Sequence, residues 1–189
     1  FSYSYNEPRT YQYFSHPAFE DYPVVGVNWN QARAFCNWRT RLNENFRSRM
    51  NDVPAHDFRL PTESEWELAS RGDRLDTKYG WGSYYTRNPR GCFQANFKPL
   101  RGNYVADSET STTTMKVGSF GPNDYGLYDM SGNVAEWTSV AYFESGYDLA
   151  NDMNPEIDYV AHPDDPPVMK RKVTRGGSWK DAEYFIRSS

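Results

Sequence analysis

Gly126-Leu127-Tyr128-Asp129-Met130-Ser131-Gly132-Asn133-Val134-Ala135-Glu136-Trp137-Thr138 is the stretch on which the reading of this chain turns. Two glycines punctuate it, and an asparagine follows the second. Gly-Asn marks a turn because both residues tolerate positive φ. Glu136 stands three residues beyond Asn133, and Trp137 follows it. A turn with a carboxylate, an amide oxygen and free backbone carbonyls can surround a hard cation. The plainer reading is a tight turn followed by a core tryptophan. The stretch alone leaves both open.

Working outward, two segments upstream carry helix-start chemistry. In Pro23-Val24-Val25-Gly26-Val27-Asn28-Trp29, a short β-branched run enters a helix capped by Asn28, with Gln31 completing a capping box. Ala32, Phe35, Cys36, Leu42 and Phe46, with Trp38 beside them, form an apolar face, and the helix is expected to end near Met50. In Arg59-Leu60-Pro61-Thr62-Glu63-Ser64-Glu65-Trp66-Glu67, Thr62 caps a second helix and Glu65 completes its box. Trp66 and Ala69 face inward, and Gly72 closes the helix. Glu63 suits the acidic first turn and Glu67 is expected in solvent, so this run of carboxylates reads as structural and not as an acid–base pair. Downstream, Val173-Thr174-Arg175-Gly176-Gly177-Ser178-Trp179 has strand character. Arg59 and Arg175 are expected in ion pairs or on aromatic faces.

Composition bounds what remains. The 189 residues suit one domain with a sizeable core. Aromatic residues make up 17% of the chain, too many for a disordered segment, and long helical periods are few. The expected class is therefore a loop-rich α+β fold with two main helices, small antiparallel sheets and an aromatic core. Residues 1–22 read as a Tyr-rich extended arm and 23–189 as a single domain. Residues 108–114 form a polar Ser/Thr loop, and 144–167 an acidic surface insertion. The chain begins at Phe1 and ends without a stop pattern, as expected of a piece truncated at its C-terminus. A net charge of -4 argues against nucleic acid as the main partner. No apolar run is long enough to span a bilayer. Cys36 and Cys92 permit one bridge or two separate thiols. The three histidines stand far apart and show no metal-ligand spacing.

Four segments in this order, 23–29, 59–67, 126–138 and 175–179, resemble the formylglycine-generating-enzyme (sulfatase-modifying factor) superfamily. The resemblance covers about residues 23–187 and implies that superfamily's variant of the C-type lectin fold. Its enzymes oxidise a sulfatase cysteine with a copper-binding cysteine pair just after the RGGS-aromatic motif. Those positions are Asp181 and Ile186 here. Neither can supply the soft thiolate that cuprous copper needs, so no copper and no oxidase activity are expected. Phe35-Cys36-Asn37-Trp38-Arg39-Thr40, Gly177-Ser178-Trp179-Lys180-Asp181 and the acidic-to-basic run 164–173 resemble the PorK/GldK lipoproteins of type IX secretion and gliding motility, with GldJ-like proteins as a close rival. That likeness implies a non-catalytic subunit, periplasmic and lipid-anchored to the outer membrane. It would form a ring with a PorN/GldN-type partner and copies of itself, with an outer-membrane protein as a further contact. A lectin-like glycan- or peptidoglycan-binding module is the alternative to subunit and oxidase.

The resemblance also implies calcium at Gly132, Asn133, Val134 and Glu136, and a second calcium at Asn96, Phe97 and Glu109. The arm residues Tyr3, Tyr5, Tyr11 and Tyr13, or the acidic insertion, are the expected partner surfaces, because interfaces favour tyrosine.

Overall fold

The computed structural model describes residues 11–53, 56–74, 76–99, 113–144 and 156–188. Helix α1 spans Trp29–Met50 and helix α2 spans Glu63–Arg71. Both begin as the sequence dictates. Asn28 Oδ1 accepts from Gln31 N at 2.9 Å while Gln31 Oε1 accepts from Asn28 N at 2.8 Å. Thr62 Oγ1 and Glu65 form the same reciprocal pair in front of α2. Each box satisfies two amides that a helix start otherwise leaves without partners. Asn51 ends α1 in the left-handed region at φ 55°, and Gly72 ends α2 at φ 65°.

Two strands, β1 (Glu136–Ala141) and β2 (Lys172–Arg175), pair antiparallel with Glu136 opposite Arg175 and Ala141 opposite Lys172. The register slips between Trp137 and Ala141. Helix α2 lies against both strands through Trp66, which is almost fully buried. From β2, Arg175 reaches Glu63 at 2.6 Å and Glu67 at 3.5 Å, with both ends of the Glu63 pair largely shielded. Glu67 also pairs with Arg71 at 2.6 Å. The expectation that Glu67 is solvated is thus corrected: helix and sheet are clamped by one arginine across two carboxylates. Arg59 holds Glu65 in a two-pronged pair that keeps its carboxyl down at about 2.

The core comes from loops, as the aromatic content predicts. Tyr79, Phe93, Ala95, Phe97 and Ile186 form one buried cluster, with Trp81 stacked on Tyr79 at 4.6 Å. The Tyr79 hydroxyl donates to Glu183 and so pins the terminal turn Glu183–Ile186. The short turns Pro17–Phe19 and Pro167–Lys170 complete the elements.

Several expectations are corrected. No residue of α1 is fully buried, and its apolar face stands exposed, with Phe35 at 61% and Phe46 at 63%. Residues 23–27 and 58–60, read as entry segments, take no regular secondary structure, and 23–27 bends at Gly26 (φ 72°). Thr114, at the end of the Ser/Thr tract, is buried, and the rest of that tract up to residue 112 lies outside the described residues. Of the acidic insertion, 156–167 follows the sheet edge: Ala141 N donates to Ile157 O at 2.8 Å, and Lys172 Nζ to Tyr159 O at 2.5 Å. Cys36 and Cys92 are separate free thiols. Among the described residues no helix is long and apolar enough to cross a membrane.

Candidate functional site

The turn at Gly132-Asn133 is the point where four segments meet. Gly132 (φ 79°) and Asn133 (φ 64°) both take the left-handed conformation that the Gly-Asn pair predicts. Gly132 N donates to Gly176 O and Asn133 N to Asn96 O, each at 2.7 Å. Asn133 O accepts from Trp179 N at 3.0 Å. The Asn133 side chain is buried and hydrogen-bonded at both its oxygen and its nitrogen. Its Oδ1 accepts from Met115 N at 2.9 Å and Asn96 Nδ2 at 3.5 Å, and its Nδ2 donates to Met115 O at 3.2 Å. Asn96, itself completely buried, donates from Nδ2 to Thr113 O at 2.9 Å. Two asparagines thus tie the loops at 94–97, 113–115 and 176–179 to the front of β1. Buried amides justify their desolvation only when bonded in this way.

The expected calcium ligands divide on this geometry. The Asn133 amide is committed to Met115 and Asn96. Gly132 and Val134 place their backbone on the same turn as Glu136. Glu136 Oε2 accepts from Trp66 Nε1 at 2.7 Å. Burial pushes its carboxyl above the ordinary range against that hydrogen bond, and the nearby charge of Asp129 pushes it further. Asp129 is likewise raised by burial, opposed by the bond it accepts from Gly118 N at 2.7 Å. Asp129 was not among the expected site residues. Its signal in the sequence is an acid inside a Gly-flanked turn, held here at φ 55°. Two half-buried carboxylates, the charge of one raising the pKa of the other, beside a turn's carbonyls, are a hard-oxygen set that suits calcium. Among the described residues no three of His, Cys, Asp and Glu gather as a denser metal cluster.

At the second expected calcium position, Asn96 serves the asparagine network, Phe97 is in the core, and Glu109 lies outside the described residues. The trailing Trp137 is half-buried, its indole N–H donating to Val27 O at 2.9 Å. Of the arm, Tyr3 and Tyr5 lie outside the described residues and Tyr11 is exposed at 81%. Tyr13 is engaged within the chain. Its ring stacks on Phe19 at 5.4 Å and its hydroxyl donates to Pro23 O at 2.6 Å. These contacts anchor the arm to the domain.

The positions that the resemblance matches to the copper thiols have other tasks. Ile186 is fully buried in the aromatic core. Asp181 Oδ2 accepts from Ser178 N at 2.9 Å and Ser178 Oγ at 2.5 Å, closing the turn after Gly177. A carboxylate and an alkyl chain do not fit copper(I). The free thiols of Cys36 and Cys92 sit on α1 and in the 88–92 turn, on separate segments.

Comparison with known proteins agrees with this layout. The bovine protein named inactive C-alpha-formylglycine-generating enzyme 2 is 34% identical over 162 residues, covering 85% of this chain and 40% of that protein. The formylglycine-generating enzyme of Thermomonospora curvata is 34% identical over 168 residues, or 87% and 47%. The serine/threonine-protein kinase pkn1 of Chlamydia pneumoniae is 33% identical over 171 residues, or 90% and 21%. The chain therefore spans less than half the length of these relatives. Among solved structures, PvdO from Pseudomonas aeruginosa superposes with a TM-score of 0.59 at 22% identity, covering 89% of this chain and 54% of that one, which shows the shared fold. The family model described as the sulfatase-modifying factor enzyme 1-like domain matches residues 5–189, and the chain belongs to that family.

Proposed function

We propose that this chain is a non-catalytic member of its family, acting as a structural and binding module. The observation that carries this reading is the use made of Asp181 and Ile186: one braces a turn and the other fills the core, so neither offers a soft ligand to a metal. A relative named inactive supports it, while others are named formylglycine-generating enzymes, so the donor set decides and not the names.

The specific role we propose is that of a structural subunit of type IX secretion or gliding motility, on the resemblance of segments 35–40, 164–173 and 177–181 to PorK/GldK lipoproteins. In this reading the fold is a C-type-lectin-like variant, formed by 23–189 with 1–22 as an arm. The protein is periplasmic and held to the outer membrane by a lipid anchor. It forms a ring with a PorN/GldN-type partner. Isolation of the native particle tests this role: a large assembly containing a second protein is expected, and a lone monomer would remove it.

Calcium at the turn is part of the proposal, held by Glu136, Asp129 and the carbonyls of Gly132 and Val134. The ion would neutralise the two carboxylates and bind the turn to β1. The pH sign follows from the raised carboxyls. A folded-state pKa above the unfolded one gives stability that is greatest in acid. That stability is lost as pH rises from the ordinary carboxylate range through the raised value. Metal-free protein is therefore expected to lose thermal stability across that window. Calcium should restore it, and Glu136→Gln should flatten the loss and abolish the response to calcium. An equal melting temperature in calcium and in chelator, at neutral pH, would count against the ion.

A further inference from the structure

We infer that the exposed face of α1 is an interface for a second copy of this chain, docking head to tail on the acidic segment 156–165. This deepens the assembly reading above and rests on it.

Phe35, Trp38, Leu42, Phe46 and Met50 recur at three- to four-residue steps along α1, and each is exposed, Trp38 at 53%. An apolar stripe of this length standing in water marks an interaction surface. The helix is also strongly basic, with five arginines against one glutamate. Arg33 lies over the Trp29 ring, and Arg47 turns inward to Asp52 and Val53. Arg41 and Arg49 remain exposed, as does Arg39 beside Phe58. The stripe is therefore apolar with a positive margin, and its partner has to be apolar with a negative one.

The chain itself carries such a surface. Residues 156–167 hold four acids and no lysine or arginine. Glu156, Asp158 and Asp164 are exposed, and the exposed Val160 stands between them. This segment borders a groove of about 400 Å³ whose opposite wall is the Trp29, Arg33, Cys36 and Asn37 side of α1. At about 100° per residue, the stripe lies roughly 145° around the helix from that wall. One molecule thus cannot fold its acidic segment onto its own stripe. The two surfaces face apart, the arrangement that joins copies in a heterologous series and closes into a ring when the rotation allows.

Sedimentation of the purified 189-residue chain over a range of concentrations tests this. We expect a mass that rises with concentration and falls with added salt. Arg39→Glu with Arg41→Glu, or Glu156→Lys with Asp164→Lys, should weaken association by about tenfold or more. Combining all four substitutions in one chain should restore it. Phe46→Ser, which leaves charge unchanged, should also weaken it, with far-UV circular dichroism showing that every variant stays folded. A wild-type chain that is monomeric throughout, reversals without effect, or a four-substitution variant that stays apart would each overturn the interface. So would binding to phosphatidylglycerol vesicles by a chain that never self-associates, since that would make a lipid surface the occupant. A monomeric chain removes this interface and leaves the non-catalytic reading standing. A native particle without a second protein removes the secretion role and leaves the interface standing.

Discussion

Gly132→Ala is expected to abolish cooperative folding of the chain. A Cβ added at Gly132 would stand 2.3 Å from the carbonyl oxygen of Asn96. That atom is backbone, so no rotamer can move it aside. The turn would have to retreat from the 94–97 loop, and the 2.7 Å bonds on both sides, Gly132 N to Gly176 O and Asn133 N to Asn96 O, would break together. The residue also sits at φ 79°, where an L side chain costs about 1 kcal/mol before any clash. Each bond lost inside the structure leaves a buried donor or acceptor, at about 1–3 kcal/mol apiece. Two or three such losses approach the whole stability of an ordinary small protein, about 5–15 kcal/mol. Urea unfolding followed by tryptophan fluorescence would show a sloping, non-cooperative signal. A sigmoidal transition near that of the wild type would show that the turn is not the hub described here.

Asn133→Ala is expected to cost about 4 kcal/mol, and to leave the chain foldable if its starting stability exceeds that. The substitution takes away the partners of Met115 N and Met115 O, both satisfied by the Asn133 amide. At about 1–3 kcal/mol for each orphaned group, plus about 1 kcal/mol for alanine at φ 64°, the total falls near this value. Asn133→Asp should be no better: it keeps an acceptor for Met115 N, loses the donor to Met115 O, and buries a charge with no cation paired to it among the described residues. The midpoint shift in urea measures both, and a change under about 1 kcal/mol for Asn133→Ala would contradict the network.

What the sequence made legible was local chemistry. The capping boxes at Asn28–Gln31 and Thr62–Glu65 are set by residues three apart, and both form. The left-handed Gly132-Asn133 turn follows from the conformations those two residues tolerate. The less legible features depend on partners far along the chain. Nothing near Glu63 or Glu67 announces Arg175, more than a hundred residues away, so carboxylates that read as an acid of the helix's first turn and a solvated side chain form a clamp. Asp129 acquires its significance only when folding sets it near Glu136. The apolar period of α1 reads correctly as amphipathic, but a period cannot say whether protein or water meets that face. Tyr13 reads as one of several similar tyrosines until Phe19 and Pro23 close on it. Of the residues proposed for calcium, the turn and its glutamate are read directly from the motif, while only the folded chain shows the Asn133 amide spent on Met115.

The claim most open to direct test is that this member of a sulfatase-modifying family does no oxidation. The purified chain, supplied with copper, dioxygen and a peptide carrying a sulfatase-type cysteine, would be followed by mass spectrometry of the peptide. We expect the cysteine to remain a thiol or a simple disulfide, with no aldehyde formed, and the same outcome when Cys36 and Cys92 are replaced by serine. Enzyme-dependent conversion of that cysteine to formylglycine would contradict the structural roles assigned to Asp181 and Ile186 and the non-catalytic reading built on them.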